Sequence, residues 1–257
     1  MVKSAFILFL SLSIILIFSC KEDLPELKEH NPKGILNQKQ VGESARDLLS
    51  AEKYKHLEVE INYVEGYAPS QTAINNLKTF LTQRVNKPLG ITFKYSSLVS
   101  PNKNTFTVND IDLLEKANRT VFNRVDTIGV YFFFADGGYS ADTENSKVLG
   151  IAYRNTSMAL FEKTIQNYSG GLNQPERSKL ETVVLNHEFC HILGLVNAGT
   201  AMQTIHQDTA HGKHCQKESC LMHYTVETGN VIANLLGAGM PQLDAECIKD
   251  LQANGGK

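Results

Sequence analysis

Leu57, Val59, Ile61 and Tyr63 alternate with His56, Glu58, Glu60 and Asn62, a two-residue period that predicts a half-buried strand. Ile74, Leu77, Phe80 and Leu81 then recur at helical spacing, with Ser70 placed to cap that helix and Asn86-Lys87-Pro88 to end it. Ile91 to Tyr95 reads as a second strand. Asp110 to Phe122, carrying Ile111, Leu113, Leu114, Ala117 and Val121, reads as a second helix. Thr127 to Ala135 is the most apolar strand, which predicts a central position covered on both faces. A loop rich in Gly, Ser, Asp and Asn follows from Asp136 to Ser146, then a strand from Val148 to Tyr153 and a short edge strand from Ser157 to Phe161. A last helix is expected from Leu243 to Leu251. This order predicts an α/β or α+β sheet layer leading into one long helix near residue 185.

That helix carries the chemistry. Leu180, Val183, Val184, Leu185, Phe189, Ile192 and Leu193 make it apolar nearly all round, so it should be buried, and it stops at Gly194. Pro175 suits a first helical turn, whereas Ser178-x-x-Glu181 can form a capping box at a slightly later start; the sequence leaves both open. Within it lies His187-Glu188-Phe189-Cys190-His191, an H-E-x-x-H. Residues four apart share a helix face, so both imidazoles can reach one metal ion, and Glu188 beside them is placed to take a proton from a water at that metal. The plain alternative is a helix with two incidental histidines. Buried imidazoles and a buried carboxylate nevertheless need partners, because an uncompensated buried carboxylate costs several kcal/mol, and a divalent cation is such a partner.

The N-terminal stretch changes the picture of where the protein works. Lys3 and then a nearly unbroken apolar run from Ala5 to Phe18 have the layout of a secretory signal, too short for a comfortable membrane span. Ile17-Phe18-Ser19-Cys20 resembles a bacterial lipobox, which implies a signal peptide at 1–19 and a lipid on Cys20; an ordinary cleaved signal is the alternative. Lys21-Glu22-Asp23 is similar to a tract that directs some lipoproteins to the outer face of the outer membrane. The polar run to Lys53, with Pro25 and Pro32, suits a flexible tether at 20–53, which leaves 54–257 as one domain. The 25 basic and 27 acidic residues give a net charge of −2, and no basic patch with interleaved aromatics argues for a nucleic-acid partner.

A zinc ion on two histidines needs a third protein ligand and an open position. Asn197, His206, His211 and His214 are the candidates, and Cys215-x-x-x-x-Cys220-x-Met222-His223-Tyr224 follows. Here the chain resembles the metzincin metalloproteases, whose H-E-x-x-H-x-x-G-x-x-H precedes a turn with a methionine beneath the metal. His187, Glu188, His191 and Gly194 match; Asn197 stands where the third histidine would be, and its neutral carbonyl is a poor zinc donor. The run from His214 through Cys215 and Cys220 to Met222 is similar to the archaemetzincin segment, which implies His214 as third ligand after an insertion.

The same resemblance implies an α+β, metzincin-like fold: a twisted mixed sheet with helices, the H-E-x-x-H helix, then a C-terminal subdomain with the Met-turn at Met222 and a final helix. By likeness to the astacin and serralysin turn, Tyr224 would stabilise an oxyanion. Archaemetzincins continue with a C-x-x-C that holds a structural zinc, where this chain has only Cys247. In an exported protein, Cys215 and Cys220 are expected to form a disulfide instead, with Cys190 a core thiol. A second metal site of loop histidines with Asp208 is a lesser alternative.

These readings point to a lipid-anchored, zinc-dependent endopeptidase of the cell envelope, monomeric, acting on protein or peptide that adds as a strand near Gly150 to Phe161. Two rivals remain. One is a non-catalytic surface module with a structural metal that binds peptide or glycan. The other is a gluzincin-type peptidase with Glu227 or Glu246 as third ligand.

Overall fold

The computed structural model describes residues 32–227, 235–236 and 239–257. The expected signal, the lipidation site at Cys20 and the first part of the tether lie outside the described residues, as does the side chain of Glu227. No helix among the described residues is long and apolar enough to cross a membrane.

The fold is mixed α/β. Strands β1 (His56–Val64), β2 (Ile91–Leu98) and β4 (Thr127–Phe134) join β6 (Gly150–Arg154) and β7 (Ser157–Leu160) in a five-stranded sheet of order β2-β1-β4-β7-β6. All neighbours are parallel except β6 and β7. The two-residue strands β3 (Thr105–Phe106) and β5 (Gly138–Tyr139) pair separately, inside stretches the sequence marks only as loop.

Alternation along β4 sorts its side chains onto two cores. Val130, Phe132 and Phe134 face helices α2 (Gln71–Arg84) and α5 (Arg177–Ile192), while Tyr131 and Phe133 face Phe106 and Ile111 of the α3 side (α3, Val108–Asn118). Ser70 caps α2 as expected, accepting from Ala73 N at 3.2 Å.

The second helix ends at Asn118, short of the expected Phe122. Glu60, fully buried on β1, accepts the backbone N–H of Thr120 (2.8 Å) and Val121 (2.7 Å), and these bonds hold the chain extended where the apolar period continues. Ser157–Leu160 is not the edge strand: it lies between β4 and β6, and the two-residue turn at Asn155-Thr156 folds β6 outside it. A short helix α4 (Glu162–Asn167) follows.

Residues 32–53, read from sequence as tether, are built into the domain. A 3-10 turn at Pro32–Asn37 leads to helix α1 (Ala45–Leu49), whose Leu48 and Leu49 are fully buried. Asn37 Nδ2 donates to Asn123 Oδ1 (2.8 Å) and to Gly129 O (3.0 Å). Polar composition misleads here because the buried polar groups are paired rather than solvated.

Candidate metal centre

Helix α5 starts after Glu176, so neither sequence signal for its start is used as a cap: Pro175 lies outside the helix and Ser178 within its first turn. Glu181 turns instead to Ser70, accepting its N–H at 3.0 Å, and to Arg177 Nε at 2.8 Å. The last turn of α5 is closed by Gly194, which takes the positive φ of 74° that a side chain resists. The helix thus ends in a turn, and the next 19 residues or so loop out before His214 returns.

His187, His191 and His214 are all buried, and one ring nitrogen from each lies within 4.8 Å of the others. His187 Nδ1 donates to Leu221 O at 2.6 Å and His214 Nδ1 donates to His211 O at 2.7 Å. Both bonds put the ring proton on Nδ1 and leave Nε2 as the electron-pair donor, the orientation that metal-binding histidines take from their outer partners. His187 Nε2 and His191 Nε2 are 3.1 Å apart. Two nitrogens on one tetrahedral zinc at about 2.0–2.1 Å each would lie about 3.3 Å apart, close to the His187–His191 separation, and His214 stands within 4.8 Å of both. Glu188, fully buried, shares the floor of the same cleft with His191 and His214. The wall is Ile151 and Ala152 of the edge strand β6. Gly150 brings that strand close: a Cβ there would sit 2.8 Å from Glu188 Cγ.

The other candidates are placed elsewhere. Asn197 is exposed, in a left-handed conformation with φ of 61° after Val196 at 55°. His211 is exposed, its Nδ1 2.6 Å from Asp208 Oδ2. Tyr224 stacks on the His211 ring, with centroids 3.5 Å apart and planes at 4°, and is not part of the cleft lining. Glu246, on helix α6 (Ala245–Ala253), is half-buried and bonds Thr204 away from the three histidines. Met222 is fully buried in the turn that presents Leu221 O to His187, and its own carbonyl accepts from Cys215 N at 2.7 Å.

A second group lies behind that turn, where sequence predicts a disulfide. Cys190, Cys215, Cys220 and Cys247 are all thiols. Cys215 Sγ faces Asp244 Oδ2 (3.1 Å) and His206 Nδ1 (3.5 Å), and Cys220 Sγ faces Cys247 Sγ at 3.7 Å, so Cys215 and Cys220 have other partners than each other. His206, Cys215, Asp244 and Cys247 offer ligand atoms within 4.8 Å of one another. His206 Nε2 is held by Asp250 Oδ2 at 2.8 Å, which leaves Nδ1 as the donor. On a tetrahedral zinc with bonds of about 2.3 Å to sulfur, two thiolates stand about 3.8 Å apart, close to the Cys220–Cys247 separation. Hydrogen bonding to Cys247 lowers the Cys220 thiol to about 7, whereas Cys247, as donor in that bond and buried, is raised. Sequence reading misses Asp244 and gives His206 the wrong neighbourhood; the spacing Asp244-x-x-Cys247, standing in place of a C-x-x-C, is the signal that marks it. Cys190 is a buried core thiol on α5, its pKa pushed up by burial.

No family model matches the sequence, and no curated protein sequence does. Among solved structures, the fold is similar to that of archaemetzincin from Methanopyrus kandleri, with a TM-score of 0.52 and 13% identity over 78% of this chain and 96% of that one. Metalloproteinase-II from Bacteroides fragilis is also matched, at a TM-score of 0.41 and 15% identity over 88% of this chain and 58% of that chain. The first of these likenesses places the chain in an archaemetzincin-like mixed α/β fold.

Proposed function

We propose that the protein is a zinc-dependent endopeptidase of metzincin type, with His187, His191 and His214 as metal ligands and Glu188 as general base. The observation that carries this reading is the convergence of three buried imidazoles, two of them oriented by backbone carbonyls, beside a buried glutamate on the floor of a cleft edged by a strand. When bound, zinc supplies Lewis-acid polarisation of the scissile carbonyl and a water acidified towards neutrality. Glu188 takes the proton of the attacking water and passes it to the leaving amine. The open edge of β6 offers backbone groups to an extended substrate, which brings its scissile bond over Glu188. The turn at Met222 acts as the Met-turn, fixing His187 through Leu221 O. Tyr224 stacks on the His211 ring and is not among the cleft's lining residues, so no oxyanion role is assigned to it. The cluster of His206, Cys215, Asp244 and Cys247, with Cys220 beside Cys247, suits a closed structural zinc. The protein is read as a monomeric lipoprotein anchored through Cys20 at the outer membrane.

The test is cleavage of an unbiased peptide mixture by protein lacking residues 1–20, beside Glu188→Ala, with zinc assayed in both. Cleavage by the parent, a fall of about 10²- to 10⁴-fold in the variant and equal zinc content are expected. Full zinc with no cleavage by either protein favours a binding module for peptide or glycan. Protein that takes up no zinc overturns the reading.

A further inference from the structure

The cleft over Glu188 is small, 310 Å³, and two of its lining residues belong to neither the metal centre nor the edge strand. These are Val41 and Lys213. Val41 belongs to the N-terminal segment, and both its flanks are fixed. Lys39 N donates to Asn155 Oδ1 (2.9 Å), and Asn155 N donates to Lys39 O (3.1 Å). Gly42 lies so close to the loop after α5 that a Cβ would stand 1.7 Å from Ala198 O. The wall at Val41 is therefore rigid, and it narrows the space available to a chain lying along β6.

Lys213 directly precedes His214, follows Gly212 in its left-handed turn (φ 70°), and is exposed. No carboxylate forms an ion pair with it among the described residues, unlike Arg154 and Lys116 near Asp112 or Arg124 at Glu58. An ammonium group on a flexible stem can follow an anion into a cleft whose other wall is apolar. With Glu188 as the one carboxylate among the cleft's lining residues, a divalent metal on the histidines makes the cleft net positive, and Lys213 adds to that field at its rim.

Building on the peptidase reading, we propose that Lys213 is a specificity-determining residue that binds a substrate carboxylate next to the cleaved bond, with the stem of that group packed on Val41. The carboxylate is that of an acidic side chain, because a chain terminus beside the cleaved bond would make the cleavage terminal rather than internal.

The test uses zinc-loaded Glu188→Gln protein, which holds peptide without turning it over, and the same protein with Lys213→Gln added. Each is offered random peptide pools that differ in one respect only: Glu against Gln at the acidic positions, and free against amidated C termini. Retained peptides are counted by mass spectrometry. With Lys213 present, the Glu pool is retained about three- to tenfold better than the Gln pool, and Lys213→Gln abolishes the difference. Enrichment of the free-acid pool over the amidated one would place a chain terminus there instead and overturns the proposal. Equal retention of the Glu and Gln pools, or a preference that survives Lys213→Gln, also overturns it. Because binding is read without turnover, failure here is distinct from failure of the parent to cleave peptides. In the cleaving parent, a uniform fall in kcat on acidic and neutral peptides alike upon Lys213→Gln would assign Lys213 to the chemistry instead, and also overturns it.

Discussion

At the scale of single residues, the position of Glu188 depends on a missing side chain. Gly150 lets the edge strand lie close to Glu188: a methyl group there would meet Val184 Cγ1 at 2.7 Å as well as Glu188 Cγ at 2.8 Å. Gly150→Ala is expected to push the carboxylate off its line while leaving the histidines in place. The loss falls on kcat rather than on zinc content, by about 10- to 100-fold, with overpacking costing about 1–3 kcal/mol of stability. Steady-state kinetics with zinc analysis checks it; lost zinc would mean that the strain spreads to the ligands. Most of the residues of this centre could be read from sequence, because the four-residue spacing of His187 and His191 fixes one helix face whatever the rest of the chain does. His214 could be reached only by resemblance, since the loop between Gly194 and His214 has no period that says where it returns. Gly150 and Lys213 were not legible at all: each acts through contacts made in space by segments far apart in the chain.

At the scale of elements, periodicity located the strands and long helices and failed wherever a buried polar group decides the path. Glu60 ends α3 early by taking two backbone N–H groups, and no local pattern announces that contact. Exposure of the edge was misassigned because β6 and β7 are alike in composition and only their pairing tells them apart. The largest departure is at residues 32–53. Charged and polar in sequence, this segment carries Leu48 and Leu49 into the core, and its Lys87 anchor donates to Asp47 O (2.8 Å) and Tyr54 O (2.7 Å). Burial lowers the Lys87 ammonium to about 8, in keeping with a cation held by carbonyls rather than by a carboxylate. Against a protein beginning at residue 32, one beginning at residue 54 should therefore lose about 4 kcal/mol or more, since each buried leucine removed costs about 2–5 kcal/mol. Denaturant midpoints of the two truncations decide this, and equal midpoints would restore the tether reading for the whole of 20–53.

At the scale of the whole molecule, the two candidate metal groups share one turn. Cys215 and Cys220 flank it, Leu221 O orients His187, and Met222 O accepts from Cys215 N. Zinc at about 100 times its dissociation constant should add about 2.7 kcal/mol per site, a rise of about 5–10 °C in Tm for a domain of this size. Calorimetry with zinc and then with a chelator measures it, and an unchanged Tm would deny metal binding at both groups. A separate term depends on pH. Glu162 is fully buried at the head of α4, where Gln166 Nε2 donates to it at 3.1 Å and Arg177 Nε at 2.9 Å. Burial, and then the neighbouring carboxylate of Glu181, raise it to about 9 against 4.5 for an ordinary glutamate. The folded state therefore binds a proton that the unfolded chain releases, and the stability this gives is complete below pH 4.5 and is lost as pH rises towards 9. Glu162→Gln keeps the shape and cannot titrate. With zinc saturating in both proteins, urea midpoints from pH 6 to 9 should fall in the parent relative to the variant, and the gap between them should widen with every step. Parallel curves would mean that Glu162 is ionised in the fold, with Arg177 outweighing both its burial and Glu181.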